Sequence, residues 1–189
     1  MTNQDRFVQL FEKHIHRNGS TELLEWLKGT DFFTAPSSTR FHSSYEGGLC
    51  HHSVNVWNHL VRLLKAYPEI RVSAETAAIV SLLHDVCKVG CYKTELRNKK
   101  NELGKWIQVP FYTFREDEPF GYHGCKSVFQ IQKFMRLTDE ETVSIANHMG
   151  FSDRSAGDYA LGEAYKRYPL SLLVHVADSA ATFIDEADA

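Results

Sequence analysis

In the stretch Ser81-Leu82-Leu83-His84-Asp85-Val86-Cys87-Lys88, a histidine and an aspartate stand side by side at the end of an otherwise apolar run. Ser73 is a good N-cap, so the spacing predicts a helix through Ala77, Val80 and His84 to about Lys88, terminated by Gly90. An adjacent His-Asp pair in that setting is expensive to bury without a partner. Two environments satisfy it. In one, His84 caps the helix end and Asp85 pairs with Lys88, both common local arrangements. In the other, a divalent cation takes both side chains, because imidazole nitrogen with carboxylate oxygen suits zinc, manganese or iron. Lys88 then projects from the same helical face and neutralises a phosphate oxygen beside the ion. The dipeptide alone leaves both open, and further ligands decide between them.

Such ligands lie on either side. Gly47-Gly48-Leu49-Cys50-His51-His52-Ser53 opens a helix expected over about 49–67, with His52, Val56, His59 and Leu63 on one face and Pro68 closing it. Pro169 opens a last helix carrying Leu173-Val174-His175-Val176-Ala177-Asp178-Ser179. Asp178 there sits among Val174, Ala177 and Ala181, where an unpaired carboxylate is costly. His52, His84, Asp85 and Asp178 together make a sensible mononuclear ligand set. His51 lies roughly 100° around the helix from His52, so only one can face an ion, and the phase with Val56 favours His52. His123, in Phe120-Gly121-Tyr122-His123-Gly124, and His148, in Ile145-Ala146-Asn147-His148-Met149-Gly150, occupy similar settings.

The remainder reads as helical with one interruption. Phe7, Leu10, Phe11 and Ile15 have helical spacing, and Ser20 caps a short helix with Leu23, Leu24 and Leu27. Residues 30–48 read as loop. Residues 91–122 alternate aromatic, basic and glycine residues and read as a β-hairpin or long loop inserted in an all-α fold. Helical pattern resumes near Gly124. Thr138 and Glu141 form a capping box for a helix ending at Met149-Gly150, and a short helix is expected over about 158–167.

At 189 residues, 43% hydrophobic and 24% charged, the chain fits one ordinary globular domain. No apolar run is long enough to span a bilayer, and the polar residues 1–6 lack a signal-peptide core, so no export and a cytoplasmic location are expected. The net charge of −3 argues against bulk nucleic-acid binding. It leaves room for a small anionic substrate, because a metal supplies local positive charge. The four cysteines form no CxxC pair and read as reduced thiols.

The order His52, His84-Asp85, Asp178 resembles the H…HD…D signature of the HD superfamily of metal-dependent phosphohydrolases. Gly48-Leu49 with His52-Ser53, Leu82-Leu83-His84-Asp85 with Lys88, and Val176-Ala177-Asp178 each look like stretches of that family, over about 41–184. The resemblance implies a helical bundle as a single domain over 1–189, with a short N-terminal helical extension over 1–40. It implies that His52, His84, Asp85 and Asp178 bind a first divalent ion (Mn, Fe, Zn, Mg, Co or Ni). In the subset with extra histidines, His123 and His148 hold a second ion with Asp85 bridging both. The chain lacks a Gly-Tyr-Pro triplet after the HD pair and has His148-Met149 where a histidine pair is frequent, which speaks against a cyclic dinucleotide. The implied activity is hydrolysis of a small phosphorylated substrate, a nucleotide or oligonucleotide ester, with Asp85 and Lys88 catalytic. Arg40, His42, Lys93 and Arg97 are expected to border the substrate, the last two on a lid formed by residues 91–122. His175, near Asp178 in sequence, could also approach the site. Alternatives are a di-iron oxygenase on the same scaffold and a catalytically silent nucleotide-binding sensor.

Overall fold

The computed structural model describes residues 1–40, 43–115, 123–153 and 159–187. Among these residues, eight α-helices and one two-stranded sheet follow in the order α1 (Asn3–His14), α2 (Ser20–Lys28), α3 (Gly48–Ala66), α4 (Ala74–Leu82), β1 (Tyr92–Lys100), β2 (Trp106–Phe114), α5 (His123–Ile131), α6 (Asp139–Ala146), α7 (Ala160–Arg167) and α8 (Pro169–Ala180). The protein is therefore mostly helical, with the expected insertion as a regular antiparallel hairpin, Tyr92 opposite Phe114 and Lys100 opposite Trp106.

Central to the core is α3, which packs on α1, α4 and α8. Its buried face carries Leu49, Val56 and Leu60 against Phe7, Phe11, Ile79, Val80, Leu82, Leu170 and Val174. Phe7, Phe32 and Phe33 stack edge-on and tilted in this core, at centroid separations of 5.0–5.5 Å.

Helix ends follow local chemistry. Thr2 with Asp5 and Thr138 with Glu141 form capping boxes, and Ser73 caps α4 through the Thr76 amide. The predicted helix to Lys88 is a correction: α4 stops at Leu82, His84 and Asp85 lie in a turn, and a 3₁₀ turn covers Val86–Lys88. The cause is local, since the His84 ring takes the Ser81 carbonyl at 2.8 Å, a bond that stands in for helix continuation. The helix expected to reach Met149-Gly150 likewise stops at Ala146, with His148 in the following turn.

Two glycines set close approaches that the site needs. A Cβ on Gly48 would sit 1.9 Å from the Ser43 carbonyl oxygen, so only glycine lets the preceding loop lie against the start of α3. A Cβ on Gly124 would sit 2.3 Å from the Ile145 oxygen, so glycine lets α5 meet the end of α6.

A buried ion network ties the N-terminal helices to the rest. Arg17 donates to Glu141 at 2.7 and 2.9 Å and to Glu75 at 3.2 Å, and Thr76 donates to Glu141 at 3.0 Å. Glu141 is fully buried while it also caps α6. Removing Arg17 leaves the fully buried Glu141 carboxylate without its cation, so Arg17→Ala is expected to lower unfolding free energy by about 3–5 kcal/mol in urea titrations. A change under about 0.5 kcal/mol, the size of a surface substitution, would contradict this account.

Candidate metal centre

Five separated stretches converge around Asp85. His52 comes from α3, His84 and Asp85 from the turn after α4, Asp178 from α8, His123 from the first residue of α5, and His148 from the turn after α6. His52, His84, Asp85 and His148 are buried, and Asp178 is 15% exposed. Among the described residues, three overlapping groups have the spacing to hold an ion: His52, His84 and Asp85; His84, His148 and Asp178; and Asp85, His123 and His148.

The two oxygens of Asp85 face different partners. Oδ2 lies 3.4 Å from His84 Nε2, 3.7 Å from His52 Nε2 and 2.7 Å from Lys88 Nζ. Oδ1 lies 2.9 Å from His123 Nε2 and 3.4 Å from His148 Nε2. Asp178 Oδ1 closes the first group, 3.0 Å from His52 Nε2 and 3.9 Å from His84 Nε2.

Hydrogen bonding on the far side of each ring fixes which nitrogen faces inward. His84 Nδ1 meets the Ser81 carbonyl at 2.8 Å, and His148 Nδ1 meets the Ile145 carbonyl at 2.7 Å. His52 Nδ1 meets Glu186 Oε1 at 3.1 Å. Carbonyl and carboxylate oxygens only accept, so each Nδ1 carries a proton. In their neutral forms the three Nε2 atoms then present lone pairs to the same small space. His52 and His84 Nε2 stand 3.3 Å apart, and the buried His148 Nε2, 3.4 Å from Asp85 Oδ1, makes no well-formed hydrogen bond among the described residues. Converging lone pairs beside two carboxylates repel unless a cation or protons lie between them. This donor set of imidazole nitrogen and carboxylate oxygen fits a divalent ion.

The electrostatics of the metal-free protein agree. Burial alone would push the His52 imidazole down, but Asp178 and Glu186 override it and raise it to about 9. Burial likewise opposes ionisation of Asp85, yet Lys88 and the surrounding histidines hold it well below the usual carboxylate range. Asp178 is held low in the same way by His52. Burial lowers His84. For Lys88, burial works against the ammonium, and Asp85 more than offsets it, raising the group.

The expected ligands His52, His84, Asp85, His123, His148 and Asp178 are thus brought together, with Lys88 against Asp85. A cavity of about 360 Å³ opens on them, lined by Asp85, Lys88, His123 and Asp178 and by Tyr92, Phe114, Met149 and Phe183. Arg40, Lys93 and Arg97 are exposed and are not among its lining residues. Lys93 pairs with Glu95 at 3.0 Å, and Arg97 lies over the Phe111 ring. His42 lies outside the described residues. His51 faces away, half-buried, with Nδ1 against the Tyr45 hydroxyl. His175 lines the cavity and binds the His148 carbonyl at 2.8 Å.

Two contributors, Phe114 and Glu186, escaped the motif reading, whereas Tyr92 belongs to the aromatics of the insertion expected to cover the site. Tyr92 and Phe114 form the base of the hairpin, and the Tyr92 hydroxyl donates to the Ser37 carbonyl at 2.9 Å. Glu186 lies beyond the last helix, and nothing in its immediate sequence separates it from the neighbouring acids Asp185 and Asp188.

Asp85→Asn keeps the shape of the side chain and removes its charge. Bound metal measured by mass spectrometry after gel filtration is expected to fall below about a tenth of wild type, in line with the tenfold or greater losses typical of disturbed metal sites. Wild-type metal content in that variant would contradict the assignment. In wild type loaded with excess metal, His123→Ala and His148→Ala should each cost the ion on the Oδ1 side. His52→Ala should cost the ion on the Oδ2 side. One ion per chain in wild type would remove the second position.

No curated protein and no solved structure matches the chain. The HD domain family profile does match, over residues 49–189, a span holding every histidine and aspartate of the centre. Members of that family are generally metal-dependent hydrolases. The chain belongs to the HD domain family.

Proposed function

We propose that this protein is a metal-dependent phosphohydrolase that cleaves an ester of a small phosphorylated substrate, a nucleotide or oligonucleotide end, with one or two divalent ions. The supporting observation is the division of the Asp85 carboxylate between two histidine groups, with the Lys88 ammonium 2.7 Å from Oδ2 at the edge of an open cavity. When bound, divalent ions supply Lewis acidity to the phosphate and acidify a water for attack on phosphorus. In this proposal His52, His84, Asp85 and Asp178 hold the first ion, and Asp85, His123 and His148 the second.

The chain's own groups carry the other tasks. Lys88 turns from Asp85 to a phosphate oxygen and offsets charge that builds during attack. Asp85 orients the attacking water and accepts its proton. His123 is partly exposed at the cavity, where it can hold a proton for the leaving oxygen if one ion alone is bound. Tyr92, Phe114 and Phe183 offer flat apolar surface for a base, and the volume suits a small ligand. Arg40, His42, Lys93 and Arg97 belong to an outer grip on the substrate, the hairpin acting as a lid. The helices form one HD-type bundle working in the cytoplasm. Among the described residues, no helix is long and apolar enough to cross a membrane.

A screen of phosphoesters with Mn²⁺, Mg²⁺, Zn²⁺, Co²⁺, Ni²⁺ and Fe²⁺ tests the activity. Release of phosphate or of a phosphomonoester supports it, whereas oxygen consumption with two irons per chain would move the chemistry to oxidation. Lys88→Ala should lower kcat more than it raises KM, by about a hundredfold, the effect of losing one preorganised charge worth roughly 3 kcal/mol. A change in KM alone would reduce Lys88 to a binding residue or to the local partner of Asp85.

A further inference from the structure

We infer that Glu186 is the positioning residue of the metal centre, aiming His52 Nε2 at the ion through a hydrogen bond on the opposite side of the ring. This rests on the metal-centre reading above and adds a residue outside the histidine–aspartate pattern.

Glu186 is fully buried, and three side chains hold its carboxylate. His52 Nδ1 lies 3.1 Å from Oε1, Asn55 Nδ2 donates to Oε1 at 2.9 Å, and Ser43 Oγ donates to Oε2 at 2.7 Å. Asn55 stands three residues after His52 on α3, so both present to one face of the helix. A carboxylate cannot donate, so the proton on that bond sits on His52 Nδ1, and Nε2 is left as the coordinating atom. An anionic acceptor also raises the basicity of the ring it orients.

Backbone features on both sides of this contact are costly. After α8 the chain makes a π-turn over Ala181–Asp185, with the Glu186 amide bonded to the Ala181 carbonyl at 3.1 Å. In an unbroken α-helix, Glu186 would stand about 80° around the axis from Asp178, eight residues earlier. The wider turn takes up that excess, so one chain segment presents Asp178 to the inner side of His52 and Glu186 to its outer side. Across from it, Ser43 is the non-glycine residue with positive φ among the described residues, at +43°. Its strained backbone carries the hydroxyl that donates to Glu186.

Zinc affinity of the full chain, read by competition with a chromophoric chelator, tests the inference. Glu186→Ala should weaken binding by about 10–100-fold, the usual cost of losing the outer partner of a ligating histidine. Glu186→Gln keeps an acceptor for Nδ1 but loses its charge, and should fall in between. In ¹⁵N-histidine spectra of the zinc-loaded protein, the His52 Nδ1 proton should be protected in wild type and in Glu186→Gln and exchange rapidly in Glu186→Ala. Affinities of both variants within twofold of wild type would overturn the role of Glu186 and leave the centre standing. Should Glu186→Ala fail to fold, Glu186→Gln decides by the same twofold criterion. Wild-type protein that takes up no zinc or other divalent ion would instead overturn the metal centre itself.

Discussion

The burial of one ionised carboxylate organises this molecule. Asp85 is 2% exposed at the end of an apolar helix, and its charge is tolerable only because basic groups surround it. Lys88 meets one oxygen and His123 the other, while His52, His84 and His148 stand around them. Each of those histidines is turned so that Nε2 points inward, because Nδ1 is spent on an acceptor fixed by the backbone or by Glu186. The result is a concentration of lone pairs and negative charge that protons satisfy in part and a divalent ion satisfies better.

Fold features that look incidental serve this arrangement. The helices carrying His84 and His148 both end early, and in both the histidine ring binds the carbonyl three residues back. That shared device satisfies a helix-end acceptor and aims Nε2 into the cluster at once. Gly124 allows the helix beginning at His123 to touch the backbone that leads to His148, bringing both near one oxygen of Asp85. Far from the centre, Arg17 clamps Glu75 near the start of α4 and Glu141 on α6, the helices that precede the two histidine turns.

The members of the cluster were legible in the sequence because each lies in a short local pattern: His84 beside Asp85, His52 after a glycine pair, Asp178 among small apolar residues. The helical spacing of these segments was equally plain, as were the hairpin and the capping box at Thr138. What the sequence hid depends on rotation and side-chain bonding rather than on pattern. The helix expected to reach Lys88 stops at Leu82 because a side chain replaces the backbone donor. Glu186 was invisible because an unbroken helix would turn it away from His52, and only the π-turn returns it. The cavity wall at Phe114 comes from the register of the hairpin, which sets it opposite Tyr92, and no local pattern marks that pairing.

Anomalous diffraction at the manganese edge, from crystals of the manganese-loaded protein, addresses the central claim without reference to any substrate. The expected map has density on the Oδ2 side of Asp85, among His52, His84 and Asp178, and on its Oδ1 side, between His123 and His148. Lys88 should then be displaced from Asp85. Manganese found elsewhere on the molecule, or a cluster free of anomalous density with the Lys88–Asp85 pair intact, would contradict it.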